Sequence, residues 1–452
     1  MAKVILPTSL SGRAGGLGEL SIDGATAGAV LERLEREFPD LKGWVLDDRG
    51  RLREHVNLFV NSKPAKLERP VENSDELFVI QAISGGSTDD ESNGSGDCEL
   101  LVGSKKGLIV LRGPRGGELE VAERAFPGQI VEYACRDPRS GRYYASATHG
   151  QFGPHLYYTD DPTGEWTQAD GPRFPEEMEA SVERIWVIEP AEEDGVLWVG
   201  VAPAALFRSD DGGQSWQLNR GLWDHPTRPE WEGGFGGLCL HSISTWPGEP
   251  DNLALGISSS GVWLSDDRGQ SWRRGVAGLV PGYLPEEARA DTLMHCIHKI
   301  ERSPVEPRTI YMQFHGGVYR SDDAGESWND IGVSNGLPAE FGFPLVADPR
   351  DPDRAFVIPL VADVDRVPPD GKLRVFETRD RGASWHALTN GLPQEGAYVT
   401  ILRQAFCHDG KSPLGLFFGT ESGQVFASAD DGQSWQLAAA NLPQVTSVRS
   451  SG

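Results

Sequence analysis

The sequence predicts a mainly β chain in which a small α+β unit precedes a seven-bladed β-propeller. Three observations lead there. A length of 452 residues is too long for one ordinary domain. Gly 55, Pro 31 and Trp 13 speak for many tight turns and short strands. An eight-residue box, S/T-x-D-x-G-x-S-W, recurs through the second part of the chain.

Charge and cysteines exclude several functions. A formal charge of −25 repels nucleic acid and anionic membranes from the bulk surface, so neither is an expected partner. The five cysteines (Cys98, Cys135, Cys239, Cys296, Cys407) are odd in number and lack CxxC spacing, which argues against a disulfide framework or a zinc ribbon. A reducing compartment fits them. The N-terminus offers only Val4–Leu6 as an apolar stretch, too little for a signal-peptide core, and no run reaches the ~18 apolar residues of a membrane span. A cytoplasmic location is expected.

The first unit reads as β, β, α, β, β. AKVIL (Ala2–Leu6) and GELSID (Gly18–Asp23) pair as a hairpin. In TAGAVLERLEREFPDL, Val30, Leu31, Leu34 and Phe38 recur at helical spacing, and Pro39 ends the helix because proline disfavours helical geometry in the residue before it. HVNLFVN alternates as a strand and turns through Asn61 to Pro64. ELFVIQAI (Glu76–Ile83) is the last strand and runs into Gly85 and Gly86.

This order, with KVILPTSL, GAVLERLEREFPDL, HVNLFVN and the AISGG ending, resembles the ubiquitin-like β-grasp sulfur carriers of the MoaD/ThiS family, above all those serving cysteine biosynthesis. The resemblance covers residues 1–86. It implies that Gly85 and Gly86 form a carrier tail, and that the Gly86 carboxylate is adenylated by a partner activating enzyme and converted to a thiocarboxylate. ATP and a sulfur donor would then be used by that E1-like partner, and no cofactor is intrinsic to this chain. Glycines suit an extended tail that enters a narrow active site.

Here, however, the Gly86 carbonyl is joined to Ser87. STDDESNGSGD, Ser87–Asp97, has no apolar residue and four acidic ones, and is expected to act as a flexible acidic linker open to proteases. Three readings stay open: a plain linker, a site where a metallopeptidase cuts after Gly86, or a tail that binds a partner without covalent chemistry.

From Cys98 to Gly452 the chain repeats. SDDGGQSW (209–216), SDDRGQSW (265–272), SDDAGESW (321–328), TRDRGASW (378–385) and SADDGQSW (428–435) are five boxes, and TDDPTGEW (159–166) is a degenerate sixth. LLVGSKKGLIVLRG, Leu100–Gly113, starts a seventh period without a box. LPQVTSV, Leu442–Val448, reads as the first strand of the blade that residues 98–121 continue, which closes the ring and leaves no free edges.

The boxes resemble the Asp-box, or BNR, repeats of sialidases, sortilin ectodomains, xyloglucanases and photosystem II assembly propellers. Their aspartates are expected to accept from turn amides, their glycines to take the open backbone angle, and their tryptophans to pack on the blade. The box specifies fold and says little of function. A sialidase entry motif finds only ERIW (Glu183–Trp186), and Glu177, Glu179 and Glu232 cannot be told from solvated surface as glycosidase carboxylates. Catalysis is not expected of the propeller.

Aligning the repeats sets Cys239-Leu-His241 against Cys296-Ile-His298, 57 residues apart, with Glu132, Arg184, Arg403 and Arg449 at equivalent places on the innermost strands. Such a ring can bind a small anion or a peptide terminus. Packed cysteines and backbone-bonded histidines are the bland alternative. Zinc on the two Cys-x-His pairs is disfavoured because adjacent blades diverge. Trp231 and Phe235 either anchor a partner or cap a blade. The functional expectation is a sulfur-carrier-like unit fused to a ligand- or protein-binding propeller. The alternatives are a non-catalytic scaffold and a glycan-acting hydrolase.

Overall fold

The computed structural model describes the chain except residues 1, 7–13, 15–16, 43, 47–49, 54–55, 62, 82–95, 235, 290–291 and 363. Gly85, Gly86, Phe235 and most of the expected linker fall outside the described residues. The chain divides into two compact units, Met1–Asp90 and Glu91–Gly452.

In the first unit β1 (Ala2–Ile5) pairs antiparallel with β2 (Glu19–Ile22) and parallel with β5 (Glu76–Gln81). β3 (Val56–Val60) pairs antiparallel with β5 and carries the two-residue β4 (Lys63–Pro64) at its edge, where the sequence reads only a turn. The sheet order β2-β1-β5-β3-β4 is consistent with a β-grasp. Helix α1 (Ala27–Glu37) starts at Thr26, whose hydroxyl accepts from the Ala29 amide at 3.2 Å and so satisfies one of the helix's orphan donors. Its buried stripe of Ala27, Val30, Leu31 and Leu34 meets Val4, Leu58, Val60 and Leu77 in one core. Pro39 then begins a 3₁₀ turn, Pro39–Leu41.

The second unit contains, among the described residues, seven four-stranded antiparallel sheets. Six are built from consecutive strands. The seventh joins Val445–Ser450 to Asp97–Ser104, with Ser450 opposite Leu100 and Val445 opposite Ser104. The leading strands of the sheets are Ile130–Arg136, Arg184–Pro190, Leu240–Thr245, Ile297–Arg302, Gly342–Ala347, Phe406–His408 and Val445–Ser450. Each packs beside the leading strand of the next sheet, and 445–450 returns to 130–136. These are propeller-like sheets in a mainly β chain with few helices.

The boxes hold the outer hairpins of five sheets. In one, Asp267 Oδ1 accepts from the Ser265 hydroxyl at 2.8 Å and the Ser271 amide at 2.9 Å, while Oδ2 accepts from the Ser271 hydroxyl at 2.6 Å. Gly269 sits at φ +79°, a conformation that a Cβ disfavours. The box tryptophans also tie neighbouring sheets together: Trp328 Nε1 donates to the Gly275 carbonyl at 2.9 Å and Trp385 Nε1 to the Ile331 carbonyl at 2.6 Å. Among the described residues no helix is long and apolar enough to cross a membrane.

Candidate functional site: a cavity at the starting ends of the leading strands

Six of the leading strands pair with their neighbours through a register shift. Between Ile185 and Val187 the extra residue is Trp186; between Leu240 and Ser242 it is His241; between Ile297 and Lys299 it is His298. A bulge re-aims one side chain that strand alternation would otherwise send elsewhere. By this register Trp186, and not Arg184, matches His241, and Arg184 opens the strand two residues earlier.

Two of the re-aimed residues, Trp186 and His298, line a cavity of about 780 Å³ at the starting ends of these strands. Glu132, Arg184, His298 and Arg403 all face it, so four of the five residues singled out from the sequence come together. The fifth does not. His241 is fully buried, and its Nε2 lies 2.9 Å from the Ile297 carbonyl oxygen on the next sheet. Burial holds both His241 and His298 well below the usual histidine range.

Arginines and rings alternate along the wall. Arg184 lies over Trp186 (5.5 Å to the ring centroid), Arg403 over both Trp186 (5.1 Å) and Phe343 (5.5 Å), and Arg366 over Phe343 (5.3 Å). Trp186 and Phe343 each have two guanidinium groups within 5.5 Å of the ring centroid, which keeps guanidinium charge in a partly apolar pocket. Arg403 Nε and Trp186 Nε1 are buried and have no hydrogen-bond partner among the described residues. Two orphaned donors beside three guanidinium groups suit an anion. Of the two carboxyls facing the cavity, Glu132 and Glu421, the first does not offset this charge at lower pH. Burial pushes Glu132 up to about 7, against the opposing pull of the Thr148 hydroxyl, 3.1 Å away, and of Arg184.

A second cavity, of about 400 Å³, lies at the finishing ends of the same strands. Glu189, Lys299 and Arg449 face it, and burial pushes Glu189 up to about 7 and Lys299 down to about 8. Arg449 donates to Tyr133 Oη at 3.0 Å, so its charge belongs to this end. Gln404 is the one residue facing both cavities.

Elsewhere, Glu177, Glu179 and Glu232 are exposed. Trp231 is buried against Trp263, with centroids 4.8 Å apart, and caps its sheet. No disulfide joins the described cysteines. Trp186, Phe343, Arg366 and His315 are cavity residues that sequence reasoning passed over. Only the HGG turn after IYMQF points to any of them, by setting His315 at a hairpin end.

These features define a class: a ubiquitin-like, sulfur-carrier-type unit joined to a set of Asp-box sheets. The BNR/Asp-box repeat model matches residues 207–218. The N-terminal region is similar to sulfur carrier protein CysO of Mycobacterium tuberculosis (strain ATCC 25618 / H37Rv), 29% identical over 89 residues that make up 18% of this chain and 96% of the carrier. Further along, the chain is similar to the oligoxyloglucan-reducing end-specific xyloglucanase of Emericella nidulans, 24% identical over 220 residues. That match takes in 42% of this chain but spans only a quarter (25%) of the xyloglucanase. Among solved structures, YCF48 bound to D1 peptide is similar at 13% identity and a TM-score of 0.44, over 78% of this chain and 88% of that one.

Proposed function

We propose that this chain is a sulfur carrier fused to a seven-bladed binding propeller. The observation that carries the reading is the match to CysO, which runs through 96% of that carrier's length. In the proposal a metallopeptidase cuts after Gly86 in the cytoplasm. An E1-like partner then spends ATP to adenylate the new carboxylate, and a sulfur donor converts it to a thiocarboxylate on the Gly85-Gly86 tail. The cavity lined by Glu132, Arg184, His298 and Arg403 takes an anionic group of a partner or substrate, and the orphaned Arg403 and Trp186 donors support that role. Support for a seven-bladed ring comes from the seven sheets and their leading strands, which contact one another in a cycle.

Mass spectrometry of the protein from its native cell tests the carrier chemistry. The expected result is a fragment ending at Gly86, part of it heavier by the exchange of one oxygen for sulfur. Intact chain alone would overturn it. The xyloglucanase similarity favours a second reading, a glycan-acting propeller. Glu132 and Glu421 are the two carboxyls facing the larger cavity, and turnover of β-glucan oligomers lost on Glu132→Gln would establish that reading.

A further inference from the structure

Cys296, His298 and His315 each bring one donor atom to the cavity wall, and the three atoms lie within 4.8 Å of one another. The zinc set weighed from the sequence, two Cys-x-His pairs on adjacent sheets, is not the set that converges. His241 is bonded to Ile297, while a single hairpin supplies all three converging donors. Ile297 pairs with Phe314, which sets Cys296 opposite His315, and the His315 amide donates to the Cys296 carbonyl at 3.0 Å. The bulge between Ile297 and Lys299 brings His298 to the same wall.

One donor is oriented as a metal-ligating histidine is, and the backbone of another is pinned. His298 Nδ1 lies 2.6 Å from the Gly342 carbonyl oxygen, which fixes the ring and leaves Nε2 as the ligating atom. The Cys296 amide donates to Tyr283 Oη at 2.8 Å, and that hydroxyl donates to the Met294 carbonyl at 2.7 Å. Phe341 and Phe343 pack on the His298 ring at 5.1 and 4.9 Å, a low-dielectric shell that strengthens metal–ligand bonds. Bond lengths of about 2.0–2.3 Å put tetrahedral ligand atoms roughly 3.3–3.6 Å apart, so small side-chain rotations close the set. One thiolate and two imidazoles suit zinc, and three protein ligands leave a fourth position open.

We infer that Cys296, His298 and His315 bind one zinc ion whose open position faces the cavity, where Arg184 and Arg403 select an anionic fourth ligand. The thiolate offsets one of the metal's two charges, and an anion beside the arginines offsets the rest. This inference does not depend on the carrier reading.

The test uses the full chain, purified reduced, stripped with a chelator and titrated with cobalt(II) as a spectroscopic stand-in and then with zinc. One cobalt per chain is expected, with a sulfur-to-cobalt charge-transfer band that zinc abolishes. Cys296→Ser removes the band. His315→Gln weakens zinc by more than the roughly 10–100-fold that losing an outer partner costs. Cys407→Ser, which alters a thiol facing the other cavity, keeps both band and affinity. Melting curves confirm that each variant is folded. The inference is overturned if the wild type gives no charge-transfer band, if it takes up copper alone, or if folded Cys296→Ser and His315→Gln both bind zinc as the wild type does.

Discussion

The Arg403 guanidinium stands 5.1 Å from the centroid of Trp186 and 5.5 Å from that of Phe343, held between two rings with its Nε unpaired. A guanidinium kept this way has lost water at Nε and, among the described residues, has gained no partner there, so an arriving anion supplies what burial removed. Phosphate is therefore expected to raise the melting temperature of the full chain. A ligand at 100 times its Kd stabilises by about 2.7 kcal/mol. Arg403→Ala should lose most of the phosphate-dependent shift in differential scanning fluorimetry, and an unchanged shift would place the anion elsewhere.

Glu132 supplies a pH dependence. Folded, it keeps its proton up to about pH 7; unfolded, it releases it near 4.5. The folded state therefore binds more protons across that window, and the Glu132 contribution to stability falls as pH rises through it. Glu132→Gln stays neutral. From pH 5 to pH 8 the variant should gain on the wild type by on the order of 2 kcal/mol in chemical denaturation. Glu189, raised in the same way, leaves some slope in both proteins. Parallel pH profiles would contradict the assignment.

The box aspartates act in the opposite sense. The Ser271 hydroxyl holds Asp267 below the usual carboxylate range; burial opposes it, and the Ser271 amide and the Ser265 hydroxyl add to the lowering. Its stabilisation is complete above the ordinary aspartate value and fades as pH drops through the lowered one. Asp267→Asn should cost about 1–2 kcal/mol at pH 7. The gap to the wild type should narrow below about pH 4, as read by urea unfolding at both pH values.

Gln404 is the partition between the two cavities. Its side-chain oxygen accepts from Lys299 Nζ at 3.0 Å, and its amide donates to the His241 carbonyl at 2.7 Å. Gln404→Leu leaves that buried carbonyl without its donor and takes one acceptor from Lys299, whose Nζ also lies 3.2 Å from Glu301. A loss of about 1–3 kcal/mol is expected by equilibrium unfolding.

The sequence discloses whatever is periodic or local. α1 follows from the spacing of Val30, Leu31 and Leu34 and from Pro39, and the hairpin turns follow from Asp211, Asp267, Asp323, Asp380 and Asp430 in their boxes. Pairing register is another matter. Trp186, His241 and His298 each sit at a one-residue slip against the neighbouring strand, and no residue type announces that slip. His241 and His298 share the same Cys-x-His context yet point to different places. Nothing in the sequence marks Trp186 and Phe343 as cavity residues, because a ring stacked on arginine and a ring packed on leucine carry the same letter. His315 needed the hairpin pairing of Ile297 with Phe314 before it could be set beside Cys296.

The strand Val445–Ser450 completes a sheet begun at Asp97–Ser104, about 340 residues earlier in the chain. A ribosome making this protein must release nearly the whole second unit before that sheet can form, so through most of synthesis the strand 97–104 waits with an open edge. Removing Val445–Ser450 would therefore leave the strand 97–104 with an open edge, and pulse-labelled nascent chains should stay protease-sensitive until residues 445–450 have left the ribosome.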